Sequence, residues 1–207
     1  MNKKNYFKFY FGAMGCGKTA KLTGDYYSKT CESKEVIIVK PKIDTKGDKN
    51  IVTRSGSQLE ATFVLGKEDN IYNLVSTYLF ENNLDFVLVD EIQFLQEDQI
   101  KQLSKIVDKL GITVIGYGLI TDFQGKMFPG AITTMEWADD FEYLKVECSC
   151  GNLKNRNMRL VNGIPVFEGE QVSIDGIDAE YKSVCRTCYE KEKSKAKTKA
   201  LKKFNLY

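Results

Sequence analysis

The stretch that decides the fold reads Gly12-Ala13-Met14-Gly15-Cys16-Gly17-Lys18-Thr19. It matches the pattern G-x-x-x-x-G-K-[ST] in full, and an aromatic, β-prone run at 6–11 comes directly before it. Helix-compatible spacing follows over 18–30. Glycines let the backbone curl so that successive N–H groups face a phosphate, and the helix adds its positive N-terminal end. The alternative is an ordinary glycine-rich turn, but the strand before it and the helix after it favour a phosphate-binding loop.

A loop of this kind needs an acid on a neighbouring strand. Lys18 reaches the β- and γ-phosphates in such a loop, and the Thr19 hydroxyl ligates Mg²⁺. The buried run at 86–89 ends in Asp90 and Glu91, and Asp90 is the natural metal partner, directly or through water. If strand geometry persists, Glu91 points the other way and accepts a proton from an acceptor hydroxyl. The alternative is that Glu91 is a helix-start acid or a surface charge.

The absence of histidine narrows the chemistry. The chain contains no histidine, so it has no Ser–His or Cys–His nucleophile pair and no histidine base. Any proton acceptor is therefore an Asp, Glu, Lys, Tyr or Cys side chain.

Alternating apolar and periodic segments predict the architecture. Strands are predicted at 35–40, 61–65, 85–90 and 112–116, and helices at 70–82 and 96–110, the last stopped by Gly111. We predict a mobile loop over 44–58 and a functional loop over 117–131. This alternation indicates an α/β fold with a parallel sheet covered by helices on both faces. The predicted domains are an α/β domain at 1–145, a small domain at 146–191 and a basic tail at 192–207.

Four of the six cysteines fall late in the chain, as Cys148-x-Cys150 and Cys185-x-x-Cys188. Four thiolates suit a tetrahedral structural Zn²⁺ site, which holds the fold rather than reacts. Unliganded thiols or a redox pair are the alternative. Cys31 is predicted to be a small buried hydrophobe.

Composition excludes several function classes. The 207 residues are 43% apolar, and 30 basic against 28 acidic residues leave a net charge of +2. This balance gives no sign of a nucleic-acid partner, and the basic run at 191–203 is interpreted as a solvated, fraying helix end. No apolar run spans a bilayer and residues 1–8 do not form a secretory signal, so we expect a cytoplasmic protein without a membrane partner.

Taken together, the segments resemble the type II thymidine kinases, from about residue 8 to residue 189. They follow the order of that family: 12–19, Lys40-Pro41 with Ile43-Asp44, Thr53-Arg54-Ser55-Gly56, Asp90-Glu91-Ile92-Gln93-Phe94, Tyr117-Gly118-Leu119, Asp122-Phe123-Gln124-Gly125, Phe128-Pro129-Gly130, Trp137-Ala138-Asp139, Cys148-Ser149-Cys150-Gly151, 168–172 and 181–186. The resemblance implies a P-loop parallel sheet flanked by helices, with a small C-terminal zinc-binding domain that carries a lasso loop.

The same resemblance implies a reaction and its residues. The γ-phosphate of ATP passes to the 5′-hydroxyl of thymidine, giving dTMP and ADP, with Glu91 as the general base. ATP with Mg²⁺ and a structural Zn²⁺ are implied, with feedback inhibition by dTTP and a homotetramer. The implied binding residues are Gly12 to Thr19 for ATP; Thr19, Asp90, Asp44 and Lys46 for magnesium and phosphate; and Gln93, Leu119, Phe123, Phe128, Val172, Ser173, Ile174, Asp175, Gly176 and Tyr181 for the nucleoside.

Three departures from the family pattern stand out. Lys46 replaces an arginine of many members, so a bidentate phosphate contact becomes a point charge. The first cysteine pair has the Cys-x-Cys spacing of a bacterial subset in which the fourth ligand can be histidine, and Cys188 fills that place. The segment 174–181 is one residue longer than usual.

Two other functions stay open at this point. A phosphate-loop protein of this size is also compatible with an NTPase or a kinase of another acceptor. A nucleic-acid-binding module that uses the zinc unit and the basic tail is the non-enzymatic alternative, and it predicts affinity that falls steeply with salt.

Overall fold

The computed structural model describes residues 5–44, 49–52, 56, 58–171 and 179–204, the last six of these by their backbone alone. Within these residues the chain forms two compact units. The first contains the opening strand, Gly17–Ile120 and Phe128–Leu144. The second contains Gly12–Cys16, Thr121–Met127 and the chain from Lys145 onward.

The described residues of the first unit form eight strands. They are β1 (Phe7–Phe11), β2 (Val36–Pro41), β3 (Asn50–Val52), β4 (Gln58–Glu60), β5 (Phe63–Leu65), β6 (Phe86–Val89), β7 (Thr113–Gly118) and β8 (Asp140–Tyr143). Six of them form one sheet in the order β5-β2-β6-β7-β1-β8, and every pairing in it is parallel. The prediction of a parallel sheet is therefore confirmed.

The prediction of a loop over 44–58 is partly wrong. Strands β3 and β4 pair there as an antiparallel ribbon, with Asn50 opposite Glu60. The side chains of Ile51 and Leu59 are buried in the core, which stabilises the ribbon. Each strand has only three residues, too few for the alternating pattern to be detected in the sequence.

Helices cover both faces of the sheet. The first unit contains α1 (Lys18–Cys31), α2 (Ile71–Tyr78), α3 (Glu97–Lys105) and α4 (Pro129–Trp137). Successive residues of β6 enter opposite cores: Val87 and Val89 pack with α2 and α3, while Phe86 and Leu88 pack with Leu22 of α1. This two-sided burial explains why the strand is continuously apolar. Helix α3 continues directly into a π-helical turn, Ile106–Leu110. This turn ends at Gly111, which has a left-handed backbone, and the end of the helix at Gly111 was predicted.

The burial of Cys31 is a wrong prediction. Cys31 is exposed at the end of α1. It lies nine positions after the buried Leu22, and at about 100° per residue that separation places it on the opposite face of the helix.

The second unit is smaller and antiparallel. It contains β9 (Arg156–Val161), β10 (Ile164–Val166), β11 (Ala179–Val184) and α5 (Arg186–Phe204), with the strands in the order β10-β9-β11. Among its described residues, one apolar cluster contains five buried side chains, those of Cys148, Met158, Val184, Cys185 and Tyr189. Helix α5 runs without a break across residue 191, where the small domain is predicted to end and the basic tail to begin. That domain boundary stays a prediction. Within the described part of the chain, no helix is long and apolar enough to cross a membrane.

Candidate active site

The segment 12–19 has strand–turn–helix geometry. It begins where β1 ends at Phe11 and continues into α1 at Lys18. Gly17 has φ 88°, and a Cβ there would meet no atom within 4 Å, so the backbone conformation rather than space requires glycine. The Cys16 N–H donates to the Ala13 carbonyl at 3.2 Å and closes the turn. These are the context features that a phosphate-binding loop requires.

A cluster of charges in the first unit surrounds Asp90, which follows β6 directly. Asp90 is 5% exposed, and its Oδ1 has no hydrogen-bond partner. Burial, followed by the carboxylates of Glu91 and Asp44, raises the pKa of Asp90 to about 7, and Lys18 partly opposes this shift. Asp44 also forms an ion pair with Lys40, with 3.2 Å between Asp44 Oδ2 and Lys40 Nζ. A buried carboxylate oxygen without a donor, beside two more acids, fits a hard divalent cation.

Glu91 does not continue the strand. Its backbone is left-handed, with φ 45° and ψ 43°, and it begins a 3-10 turn at Ile92–Phe94. The alternation argument for its direction is therefore wrong, because strand geometry ends at Val89. A non-glycine residue in this conformation costs free energy, and such residues cluster at functional sites.

The Gln93 side chain holds Glu91 in place. Gln93 is 2% exposed. Its Nε2 donates to Glu91 Oε2 at 2.5 Å, and its Oε1 accepts from the Leu119 N–H at 2.9 Å. A Cβ on Gly118 would lie 2.5 Å from that Oε1, so this close approach requires glycine. Gln93 is predicted to contact the nucleoside, and the structure also places it as the link between Glu91 and Leu119.

Two predicted nucleoside residues of the first unit lie near this link. Leu119 and Phe128 are buried, at 8% and 5% exposure. Phe128 precedes α4, and its ring packs edge-to-face against Phe94 with centroids 5.6 Å apart. Burial and this ring contact therefore hold the Phe128 side chain in place.

The four late cysteines come together in the second unit. The Sγ atoms of Cys148, Cys150, Cys185 and Cys188 all lie within 4.8 Å of one another. Three of the separations are 3.4, 3.5 and 3.9 Å. A tetrahedral zinc with Zn–S bonds of about 2.3 Å has sulfur–sulfur edges of about 3.8 Å, so this set fits zinc. Backbone N–H groups of Cys150 and Cys185 lower the pKa of Cys148 to about 6, whereas hydrogen bonds with the Cys150 and Cys185 thiols raise the pKa of Cys188 to about 12. The positions of the four sulfur atoms, rather than these pKa values, therefore support the zinc assignment.

The second unit also fixes the loop Thr121–Met127, which we name the acceptor loop. Phe123, a predicted nucleoside residue, is 1% exposed within it. The Tyr189 hydroxyl donates to the Phe123 carbonyl at 2.7 Å, and the Arg159 guanidinium lies 3.9 Å from the Phe123 ring centroid. Tyr181, on β11, is 37% exposed.

Sequence reasoning missed several of these contacts. Tyr189 directly follows the ligand pair Cys185 and Cys188, a position that could have drawn attention to it. Asn157 carries no motif, yet its Oδ1 accepts from the Met14 N–H at 2.8 Å and its Nδ2 donates to the Thr121 carbonyl at 2.9 Å. Six predicted site residues lie outside the described residues: Lys46, Val172, Ser173, Ile174, Asp175 and Gly176.

Comparisons with known proteins identify the family. Residues 5–189 match the family model described as Thymidine kinase. The thymidine kinase of Shewanella oneidensis is 40% identical over 180 residues, covering 86% of this chain and 93% of the relative. That of Legionella pneumophila is 35% identical over 199 residues, covering 95% of each chain. That of Haemophilus influenzae is 38% identical over 187 residues, covering 89% of this chain and 95% of the relative.

Structural similarity is weaker. The Pif1 helicase from Candida albicans shares a TM-score of 0.41 at 16% identity, over 67% of this chain and 36% of the helicase. A Bacteroides Pif1 bound to ssDNA has a TM-score of 0.39 at 15% identity, over 68% of this chain and 38% of that one. Neither likeness supports a functional argument. The family model and the relatives do, and they confirm the resemblance seen in the sequence: the chain belongs to the thymidine kinase family.

Proposed function

We propose that this protein is an ATP-dependent thymidine kinase, which transfers the γ-phosphate of ATP to the 5′-hydroxyl of thymidine. The observation that carries the proposal is the arrangement after β6, in a chain of the thymidine kinase family. Asp90 presents an unsatisfied carboxylate oxygen there, and Gln93 fixes the carboxylate of Glu91 next to it.

The phosphate donor is assigned to the segment 12–19. Backbone N–H groups of this segment and the start of α1 bind the phosphates, and Lys18 contacts the β- and γ-phosphates. Thr19 and Asp90 would hold Mg²⁺, with Asp44 close to Asp90, and Lys46 is proposed as a further phosphate contact. When bound, Mg²⁺ neutralises charge on the phosphates.

Glu91 is assigned as the general base. Gln93 occupies Oε2, so Oε1 is the atom that accepts the proton of the 5′-hydroxyl. As that proton moves to Glu91, the 5′-oxygen bonds to the γ-phosphorus. The bond from the γ-phosphorus to the bridging oxygen breaks, leaving ADP and dTMP.

We assign five of the described residues to the nucleoside: Gln93, Leu119, Phe123, Phe128 and Tyr181. The lasso residues Val172 to Gly176 complete the proposed set. Apolar and aromatic surfaces suit a planar base, while polar contacts decide which base is accepted.

Family membership supports the proposal of several further features. We assign the four cysteines a structural zinc ion. Feedback inhibition by dTTP, a homotetrameric assembly and a cytoplasmic location are part of the same proposal, with no nucleic-acid or membrane partner expected.

A coupled assay of ADP formation tests the reaction. ADP should appear only when thymidine is present, and four deoxynucleosides compared side by side should rank thymidine first. ADP formation without any nucleoside would support the NTPase alternative instead.

Replacing the base tests the role of Glu91. Glu91→Gln should keep ATP binding but lower kcat by about 10²–10⁴-fold, since the proton acceptor is lost. Glu97→Gln, at an exposed position on α3, is the matched control and should keep full turnover. Wild-type turnover in Glu91→Gln would refute the assignment.

A further inference from the structure

One side chain in the second unit binds two functional segments at once. Asn157 lies on β9, the central strand of the antiparallel sheet, where it pairs with Ser183 of β11. It is 3% exposed, and both ends of its amide are used, on Met14 and on Thr121. We infer that Asn157 is a positioning residue of the kinase reaction, which sets the Gly12–Cys16 turn through Met14 and the acceptor loop through Thr121. The meaning of these two segments rests on the proposed function.

At the first segment, Asn157 fixes one peptide plane. The Ala13 carbonyl and the Met14 N–H belong to the same peptide group. The carbonyl accepts from the Cys16 N–H at 3.2 Å, and the N–H donates to Asn157 Oδ1 at 2.8 Å. With both sides bonded, the plane cannot rotate without losing a hydrogen bond. The direction of the N–H groups that follow in the turn therefore depends on Asn157.

At the second segment, Asn157 holds the first residue of a stiff loop. Thr121 forms a β-bridge with Met127, which closes the loop at its base. Inside it, Asp122 Oδ1 accepts from the N–H groups of Gln124 at 2.8 Å and Lys126 at 2.9 Å. A loop braced in this way moves as one piece, so the bond from Asn157 Nδ2 to the Thr121 carbonyl sets where Phe123 lies.

The amide side chain of Asn157 meets both demands. Asn offers a donor and an acceptor side by side, whereas Asp of the same shape offers acceptors alone when ionised, and Leu offers neither. Asn157→Asp therefore keeps the bond to Met14 and loses the bond to Thr121. Asn157→Leu loses both, and it leaves two buried backbone groups without partners.

Calorimetric titration of the zinc-loaded protein separates these effects. The two ligands are thymidine and a non-hydrolysable ATP analogue with Mg²⁺. For Asn157→Asp, we expect the Kd for thymidine to rise about tenfold and that for the analogue to stay within about twofold of wild type. For Asn157→Leu, both Kd values should rise about tenfold. Asn155→Asp and Asn155→Leu, two positions earlier in the chain, are matched controls and should change neither.

The pattern of Kd values decides the outcome. A merely structural role would lower thermal stability and move both Kd values together in the Asp variant, which contradicts the inference. If the Asp variant does not fold, Asn157→Leu still tests the inference. An unchanged Kd for either ligand in that variant would overturn the positioning role of Asn157. Because binding needs no turnover, the result is independent of the kinase assay. Wild-type protein that binds both ligands but forms no dTMP contradicts the proposed function and leaves the positioning role measurable.

Discussion

The two units hold their functional residues by different physical means. In the first, Asp90 and Glu91 follow a strand whose four residues are all buried, in the middle of a six-stranded parallel sheet. In the second, the described residues form one small apolar cluster of five buried side chains, and hydrogen bonds from Asn157 and Tyr189 hold the acceptor loop. Extensive apolar burial therefore surrounds the strand that carries the acids of the first unit, whereas hydrogen bonds across a much smaller apolar cluster hold the acceptor loop of the second.

This difference predicts where the proposed zinc ion contributes most to stability. Two of the five core residues of the second unit, Cys148 and Cys185, belong to the thiol cluster. A core this small does not offset the conformational entropy of its chain by itself. The first unit has two large apolar clusters and needs no such support.

Loss of zinc should have the largest effect and should be confined to the second unit. Structural zinc contributes about 10–16 kcal/mol in small domains, so Cys185→Ser should release the metal and make the second unit sensitive to protease. The chain has one tryptophan, Trp137 on α4 of the first unit, and its fluorescence should change little. Metal analysis, limited proteolysis and fluorescence together measure this.

Cys31→Ser is the matched control for that experiment. Cys31 is exposed on α1 and lies outside the cluster, so its replacement should retain zinc and protease resistance. Full zinc content in Cys185→Ser, or equal loss of structure in both units, would contradict the comparison.

An effect of intermediate size is expected in the first unit, where the charged form of Asp90 lowers the free energy of unfolding. Since burial raises the pKa of Asp90 to about 7, the folded state binds its proton more tightly than the unfolded state does. The wild type therefore loses stability as pH rises from about 4 to about 7, and the penalty is complete above that range. Asp90→Asn removes it, so this variant should be more stable by about 2–4 kcal/mol at pH 8 and equal to wild type near pH 4.

Denaturant unfolding followed by Trp137 fluorescence, without added divalent cations, measures the difference. Asp108→Asn replaces an exposed carboxylate of the same unit and should show no such gain. A stability advantage of Asp90→Asn that grows as pH falls would have the wrong sign and would rule out the electrostatic explanation.

Sequence patterns predicted the first unit better than the second, for a physical reason. Apolar runs are local signals, and they located five of the six parallel strands and the acids after β6. Strand β8 was missed, because its residues are exposed or half-buried and form no apolar run. The left-handed backbone of Glu91 was missed, because a strand-end dihedral leaves no periodic trace. Asn157 and Met14 are 143 positions apart in the chain, and no local sequence pattern encodes a single hydrogen bond between residues so far apart.

The smallest expected effect tests one polar anchor of the second unit. Tyr189→Phe keeps the ring that packs edge-to-face on Phe167 at 5.3 Å and removes only the hydroxyl bonded to the Phe123 carbonyl. Burial raises the pKa of Tyr189, so the hydroxyl is a donor throughout the physiological range. Loss of this hydrogen bond should weaken thymidine binding by about 1 kcal/mol and raise the KM for thymidine about fivefold, with the KM for ATP unchanged.

Tyr27→Phe, at a half-exposed ring on α1, is the control and should change neither KM. An equal rise in both KM values would show that the hydroxyl supports the unit as a whole rather than the acceptor loop.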